Sequence, residues 1–271
     1  MMGKRLQRSG LVLLAGAMAW AAVQMAPATA DDDPWPQIAA AAFSGRTLAD
    51  GSGLISIEMP ARAEDAAIVP VTMRTTLPHG DSRTLRSFTL VIDQNPSPVA
   101  ATFKLGAGVT MISTRVRVNS YTDVHAVAEL SDGKLYVIKT YVKASGGCSA
   151  PMTNGAEDKT ALGQMRFRQF ATSSAGPATA SHEAQIMIRH PNNSGLQRDQ
   201  VSLLYIPLFI VRKLRVWQGD RLLVEMDGGI SISENPNIRF SYLPNGASTF
   251  HAEAEDTEGH VFTNEWPVEA M

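Results

Sequence analysis

Residues 124–142 read VHAVAELSDGKLYVIKTYV, two largely apolar runs separated by Ser131-Asp132-Gly133. Each run contains the apolar/polar alternation of a half-buried β-strand. Asp-Gly between two such runs is a strong hairpin signal, because the favoured two-residue turn needs positive φ angles that these residues tolerate. The segment therefore predicts two antiparallel strands joined by a tight turn.

Similar short runs fill the chain upstream of this hairpin. The alanine-rich residues 37–43 predict one short helix, which Gly45 would end. The strand candidates that follow are separated by Gly, Pro, Asn and Asp turns, and some seven short strands at this spacing predict an antiparallel β-sandwich. These candidates are residues 54–59, 67–73, 86–92, 100–105 and 111–118, followed by the hairpin.

A second β-rich segment runs from residue 181 to the end of the chain. Residues 203–211 are strongly apolar, and residues 214–217 pair naturally with residues 221–224 through a Gly-Asp turn. The fold class is therefore all-β, with two antiparallel sandwiches in tandem. The remaining candidates are residues 230–233, 238–242, 249–254 and 260–266.

The β pattern fails between the two segments. Residues 165–170 alternate as a short strand would, and residues 171–180 have the Ser/Ala/Gly/Pro composition of a linker. The predicted organisation is a first sandwich over residues 31–143, an arm and linker over residues 144–180, and a second sandwich over residues 181–271.

The first thirty residues have the features of a secretory signal peptide. Lys4, Arg5 and Arg8 precede an apolar run over residues 11–23, and an Ala-x-Ala cleavage site ends at Ala30. The run is too short to cross a bilayer. We therefore expect export, most simply into a bacterial periplasm.

The charge balance disfavours nucleic acid as a partner. The chain has 24 basic and 26 acidic residues, and removal of residues 1–30 leaves 21 basic against 26 acidic. Binding to phosphates needs a basic face. No later segment has the roughly 18 consecutive apolar residues of a membrane helix, so we expect no membrane association.

The only cysteine, Cys148, follows Gly146 and Gly147. A single cysteine excludes an intramolecular disulfide and every Cys-x-x-Cys redox or zinc site. A free thiol, a mixed disulfide, a covalent adduct or a disulfide between two chains remain open. The small flanking residues predict a thiol presented on a slender, flexible arm, and Lys143 is the nearest cation in sequence.

Other chemical signals are weak, and we expect neither a cofactor nor a metal. Gly106-Ala107-Gly108 has no following helix and predicts a turn. The histidines show no i, i+4 pair, so packing or surface roles are expected for all six. They are His79, His125, His182, His190, His251 and His260.

The sequence of motifs resembles the SoxY and SoxZ proteins of bacterial thiosulfate oxidation. Residues 60–71, PARAEDAAIVPV, followed by a β domain ending in Gly146-Gly147-Cys148, resemble SoxY. The second half resembles SoxZ through Arg189-His190-Pro191, Asn235-Pro236 and residues 256–259. A fusion of this kind resembles the SoxYZ-like carriers associated with quinoprotein dehydrogenases.

This resemblance implies two immunoglobulin-like sandwiches and a cysteine on a mobile arm. Cys148 would hold a sulfur intermediate covalently, Gly146 and Gly147 would form the hinge, and periplasmic redox or sulfur-metabolising enzymes would act on the cargo. The protein itself would not be an enzyme. Here Ser149-Ala150-Pro151 follows the cysteine, and the arm is tethered at both ends. The alternative is an accessory module that binds a periplasmic dehydrogenase without covalent chemistry.

Overall fold

Strands dominate the computed structural model, which describes residues 33–151, 161–170 and 181–269. The predicted signal peptide and the linker at residues 171–180 lie outside these residues. The elements are α1 (Trp35–Ala42), β1 (Leu48–Asp50), β2 (Ile55–Glu58), β3 (Val69–Thr75), β4 (Leu85–Ile92), β5 (Val99–Leu105), β6 (Met111–Val116), β7 (Thr122–Leu130), β8 (Leu135–Val142), β9 (Met165–Phe170), β10 (His182–Ile188), β11 (Val211–Gln218), β12 (Arg221–Gly228), β13 (Asn237–Tyr242), β14 (Thr249–Asp256) and β15 (Val261–Pro267).

The strands form two sheets, and both halves of the chain contribute to each. The larger sheet has the order β1-β8-β7-β4-β5-β12-β11-β14-β15, and the smaller has the order β2-β3-β6-β13-β10-β9. Neighbouring strands are antiparallel except for β1, which pairs with β8 in parallel. The all-β class is confirmed, and the two-layer arrangement is consistent with immunoglobulin-like folds.

The two halves meet edge to edge in both layers. In the larger sheet β12 pairs with β5, with Met226 opposite Phe103 and Val224 opposite Leu105. In the smaller sheet β13 pairs with β6, with Phe240 opposite Ile112. The two halves predicted as tandem sandwiches are thus joined by backbone hydrogen bonds, and residues from Pro34 onward form one compact unit.

One hydrophobic core runs through both halves. Phe88 and Phe103 from the first half and Phe240 and Phe250 from the second are fully buried in the same cluster. Strand β14 alternates buried and partly exposed residues along its whole length, the period of two that a strand with one buried face requires. Burial of these aromatic rings stabilises both halves together.

The first hairpin has the predicted geometry. Strands β7 and β8 pair in antiparallel register from Glu129 opposite Leu135 to Thr122 opposite Val142. Gly133 adopts a φ of 74°, as the turn requires. The helix prediction at residues 37–43 is also confirmed, with a slightly earlier start.

Two segments differ from expectation. Residues 203–211 are strongly apolar, yet only Val211 enters a strand, β11. Residues 201–210 form a largely exposed loop, in which Leu203 and Leu204 are 66% and 70% exposed. Residues 230–233 form a turn whose one ladder contact is a bridge between Ile232 and Val116. Local composition does not predict either the loop or the turn, because each depends on which strands occupy the sheet edges.

Among the described residues, no helix combines the length and apolar character that crossing a bilayer requires.

The shared core predicts that a first-half substitution destabilises the second half. Phe103→Ala removes a fully buried ring at the β5–β12 junction, a change that costs about 3–5 kcal/mol in protein cores. We expect amide hydrogen exchange to accelerate in β7 and β14 alike, with one unfolding transition at lower temperature. Tyr121→Ala, at a half-exposed position, is the control. Unchanged exchange in β14 would contradict the coupling.

Candidate functional site

The segment around Cys148 leaves β8 and lies against the first half. Lys143 forms a parallel bridge with Arg62, in which its amide donates to the Ala61 carbonyl at 3.0 Å and its carbonyl accepts from the Ala63 amide at 3.0 Å. These bonds continue the pairing of the larger sheet by one residue beyond β8. Lys143 is therefore held in place, and the segment that leads to the cysteine starts from it.

Gly146 and Gly147 are docked in this conformation. The Gly146 amide donates to the Asn119 carbonyl at 2.8 Å, and the Gly147 amide donates to the Val118 carbonyl at 3.0 Å. A Cβ at Gly147 would lie 2.0 Å from the Ala66 carbonyl oxygen, and Gly146 has a φ of 77°. The absence of a side chain at Gly147 therefore allows the turn to pack closely against the Ala66 backbone. The prediction of a freely flexible arm did not include this packing role.

Cys148 is fully buried, with 0% exposure. The expectation of a thiol presented to solvent is therefore wrong for this conformation. The second half holds the segment in place: Ser194 Oγ donates to the Cys148 carbonyl at 2.5 Å, and Gln197 Nε2 donates to the Ala150 carbonyl at 3.1 Å. Small flanking residues indicated exposure, but they equally allow a tight fit between two surfaces.

Burial controls the acidity of this thiol. Loss of solvation raises the pKa of Cys148 to about 11, and the positive charge of Arg117 only partly opposes the rise. Thiolate is the nucleophilic form of cysteine. At neutral pH the docked thiol is therefore protonated and weakly reactive.

Arg117 is the charged residue beside this thiol that sequence reasoning missed. It is 1% exposed, and its Nε and Nη1 have no hydrogen-bond partner among the described residues. Burial lowers its pKa, and the negative charge of Glu234 is the largest opposing influence. The sequence placed Arg117 in a strand, and nothing in the strand pattern indicated that its side chain turns inward.

A polar network ties this region of the first half to the second. Asn95 Nδ2 donates to the Arg117 carbonyl and to Ser231 Oγ, both at 2.8 Å, and the Arg117 amide donates to the Ser231 carbonyl at 2.7 Å. Ser233 Oγ donates to the Ala67 carbonyl at 2.7 Å. The surroundings of Cys148 are therefore built from both halves.

An open depression of about 330 Å³ lies beside the segment, lined by Ser149, Pro151, Leu196, Arg198, Gln200 and Tyr205. The exposed loop described above borders it, and within that loop Val201 is 94% exposed and Tyr205 60% exposed. A partner that reaches for Cys148 from this side would meet an apolar rim.

Two of the histidines have packing roles. His125 stacks on Trp35 with ring centroids 3.6 Å apart and bonds Asp93 at 3.0 Å. Burial lowers the pKa of His190 to about 4 despite the nearby Asp256. Within residues 33–151, 161–170 and 181–269, no three His, Cys, Asp or Glu side chains are grouped as a metal site requires.

Comparison with known proteins matches the two halves to two family models. The model described as sulfur oxidation protein SoxY matches residues 39–148, and the model described as sulphur oxidation protein SoxZ matches residues 172–267. The chain therefore belongs to the SoxY and SoxZ sulfur-oxidation proteins. It carries a SoxY part followed by a SoxZ part in one polypeptide, a SoxYZ fusion.

Solved structures overlap parts of the chain. The sulfur carrier protein SoxY from Chlorobium limicola f thiosulfatophilum is 26% identical, with 41% of this chain and 91% of that chain covered and a TM-score of 0.33. A superoxide reductase (neelaredoxin) from Ignicoccus hospitalis is 12% identical, with 33% and 78% covered and a TM-score of 0.29. No curated protein matches the sequence. The family assignment rests on the two family models.

The two glycines are expected to respond differently to alanine. Gly147→Ala forces a Cβ into the Ala66 carbonyl, so the segment can no longer dock. Gly146→Ala meets no atom within 4 Å and only strains a positive φ, at a cost of about 1 kcal/mol. Alkylation of Cys148 by iodoacetamide at pH 7.5, roughly the physiological range, should be far faster in the Gly147 variant. Equal rates in the two variants would contradict the docked geometry.

The raised pKa of Cys148 predicts how the alkylation rate of its thiol depends on pH. A docked thiol with a pKa of about 11 stays protonated where a released thiol, with a pKa of 9.0, already ionises. Docking is therefore fully stable below pH 9 and loses stability as the pH rises from 9 towards 11. We expect the alkylation rate of the native protein to climb throughout this range, whereas Gly147→Ala levels off soon after pH 9. A plateau at the same pH in both proteins would argue against burial of the thiol.

Proposed function

We propose that this protein is an exported, non-enzymatic carrier that holds a small sulfur-containing intermediate covalently on Cys148 while partner enzymes act on it. One observation carries the proposal. The SoxY match ends at residue 148, and that residue is the chain's only cysteine. The signal-peptide pattern at residues 1–30 supports export, most simply to the periplasm.

The docked geometry implies that the carrier works in two states. In the docked state the thiol is buried and protonated, so neither reagents nor partners reach it. Release breaks the bonds from Ser194, Gln197, Gly146 and Gly147 described above. At about 1 kcal/mol each, these four bonds correspond to a released fraction on the order of one in a thousand.

A released segment reaches well beyond the sandwich surface. Lys143, which stays paired with Arg62, is about 17 Å from Cys148 when the segment is extended, at about 3.3 Å per residue. The second tether, after Pro151, limits the sweep but leaves the thiol accessible. In solution the thiol regains an ordinary pKa, so release both exposes and activates it.

Loading joins Cys148 to the cargo through one new S–S bond. The Sγ atom bonds to the terminal sulfur of an anion of the thiosulfate class, and the thiol proton leaves to solvent. Two electrons pass to an electron acceptor held by a partner redox enzyme. Neither Cys148 nor its surroundings supplies that oxidant, which is why the carrier needs a partner.

Intact mass spectrometry of protein purified from its native cells tests this proposal. With a reduced sulfur source supplied, we expect a chain that begins near residue 31 and carries an added mass on Cys148 that a thiol reductant removes. Cys148→Ser, purified in parallel, should lack the added mass. Unmodified Cys148 in protein from sulfur-fed cells would refute the carrier role.

The second candidate is an accessory module that binds a periplasmic dehydrogenase, of the quinoprotein class, without covalent chemistry. The exposed apolar loop that borders the depression favours this alternative, because such surfaces bind proteins. If cells that carry the Cys148→Ser variant keep the full activity of the partner dehydrogenase, the accessory module is favoured over the carrier.

A further inference from the structure

The buried guanidinium of Arg117 lacks the partners that its position demands. The side chain is 1% exposed, the most bulky of the fully buried side chains. Two of its nitrogens, Nε and Nη1, have no hydrogen-bond partner within the described residues. A buried charge of this kind is costly unless acceptors and opposite charges surround it, so Arg117 has more N–H donors than the described residues have acceptors for.

The groups that face Arg117 do not complete it. Glu234, Cys148 and Asp65 exert the charge effects on it, in that order. Asp65 Oδ1 accepts from the Ala67 amide at 2.8 Å. Neither carboxylate reaches Nε or Nη1 with a hydrogen bond in the part of the chain that the structure describes.

The backbone joins the cysteine segment to the residue that follows Arg117. Val118, the next residue after Arg117, accepts the Gly147 amide at 3.0 Å. The charge of Arg117 acts on the Cys148 thiol, and the thiol acts on Arg117 in return. The unpartnered N–H groups and the thiol are therefore buried in the same region, close enough for the charge of Arg117 to act on Cys148.

We propose that Arg117 is an anion receptor that binds the oxyanion end of a sulfonate-type group attached to Cys148 when the segment is docked. The identity of the natural cargo rests on the proposed carrier function, whereas the receptor itself does not. In the structure with a free thiol, the Nε–H and Nη1–H groups of Arg117 have no acceptor among the described residues. Sulfonate oxygens are anionic at every physiological pH and accept charge-assisted hydrogen bonds from arginine.

The receptor makes docking depend on what Cys148 carries. An anionic adduct binds Arg117 only in the docked state, so it shifts the equilibrium towards docking; by linkage, docking holds the adduct more tightly. The loaded segment would be retracted and shielded from water and thiols. A partner enzyme would have to replace the Arg117 contact with its own.

Two adducts, one anionic and one neutral, test this proposal in the full-length protein. Cys148 is converted to the S-sulfonate or to the neutral S-methylthio form in denaturant, and each form is refolded. The rate at which dithiothreitol removes each adduct is divided by the rate for the same adduct on a Gly-Gly-Cys-Ser peptide. In the native protein we expect the S-sulfonate to be protected about tenfold or more beyond the S-methylthio form.

Variants at two neighbouring arginines separate the receptor from general charge. Arg117→Met should reduce protection of the S-sulfonate to that of the S-methylthio form, and Arg117→Lys should retain part of it. Arg115 is half-buried, and its Nη2 donates to the Asn235 carbonyl. Arg115→Met removes the same charge and should keep the stronger protection of the S-sulfonate.

Equal protection of both adducts in the native protein overturns the proposal, whether or not Arg117→Met folds. So does a preference that survives Arg117→Met. If protein from cells carries no cargo but the refolded protein still protects the S-sulfonate, the carrier role is refuted and the receptor is supported. If protein from cells carries cargo but the refolded protein shows no preference for the S-sulfonate, the receptor is refuted and the carrier role is supported.

Discussion

The pairing of β5 with β12 and of β6 with β13 is the constraint on which the rest of the structure depends. Either half alone would leave two strand edges with unpaired backbone groups, which are templates for association. Pairing in both layers closes these edges and fixes the second half against the first. Ser194 and Gln197 thereby meet the cysteine segment, although they lie more than forty residues further along the chain.

In the proposed carrier, this geometry would separate storage of the thiol from its reaction. A carrier thiol must be protected between partners and reactive at each of them, and one static environment cannot supply both. Burial raises the pKa of Cys148 to about 11, and release restores ordinary thiol chemistry. The close approach of Gly147 to the Ala66 carbonyl makes the docked state specific, because any larger residue would prevent it. A glycine beside the cysteine therefore serves docking as much as movement.

The proposed receptor at Arg117 would let the docked state distinguish loaded from unloaded protein. The backbone amide and carbonyl of Arg117 belong to a hydrogen-bond network that Asn95 and Ser231 extend across the junction of the two halves. Hydrogen bonds that cross this junction would couple cargo on the first half to contacts made by the second. A single polypeptide keeps both halves at a fixed ratio, so the site is assembled in every molecule.

Alternation, turn residues and composition are local properties, so the all-β class, the hairpin at Asp132-Gly133 and the single thiol follow from the sequence alone. The resemblance to SoxY and SoxZ rested on such local motifs and is confirmed by the family models. The folded chain was needed to show that the halves share two sheets, that Cys148 is buried and that Arg117 is buried in the same region. Those outcomes depend on contacts between residues distant in sequence, for which strand periodicity and flanking composition carry no signal.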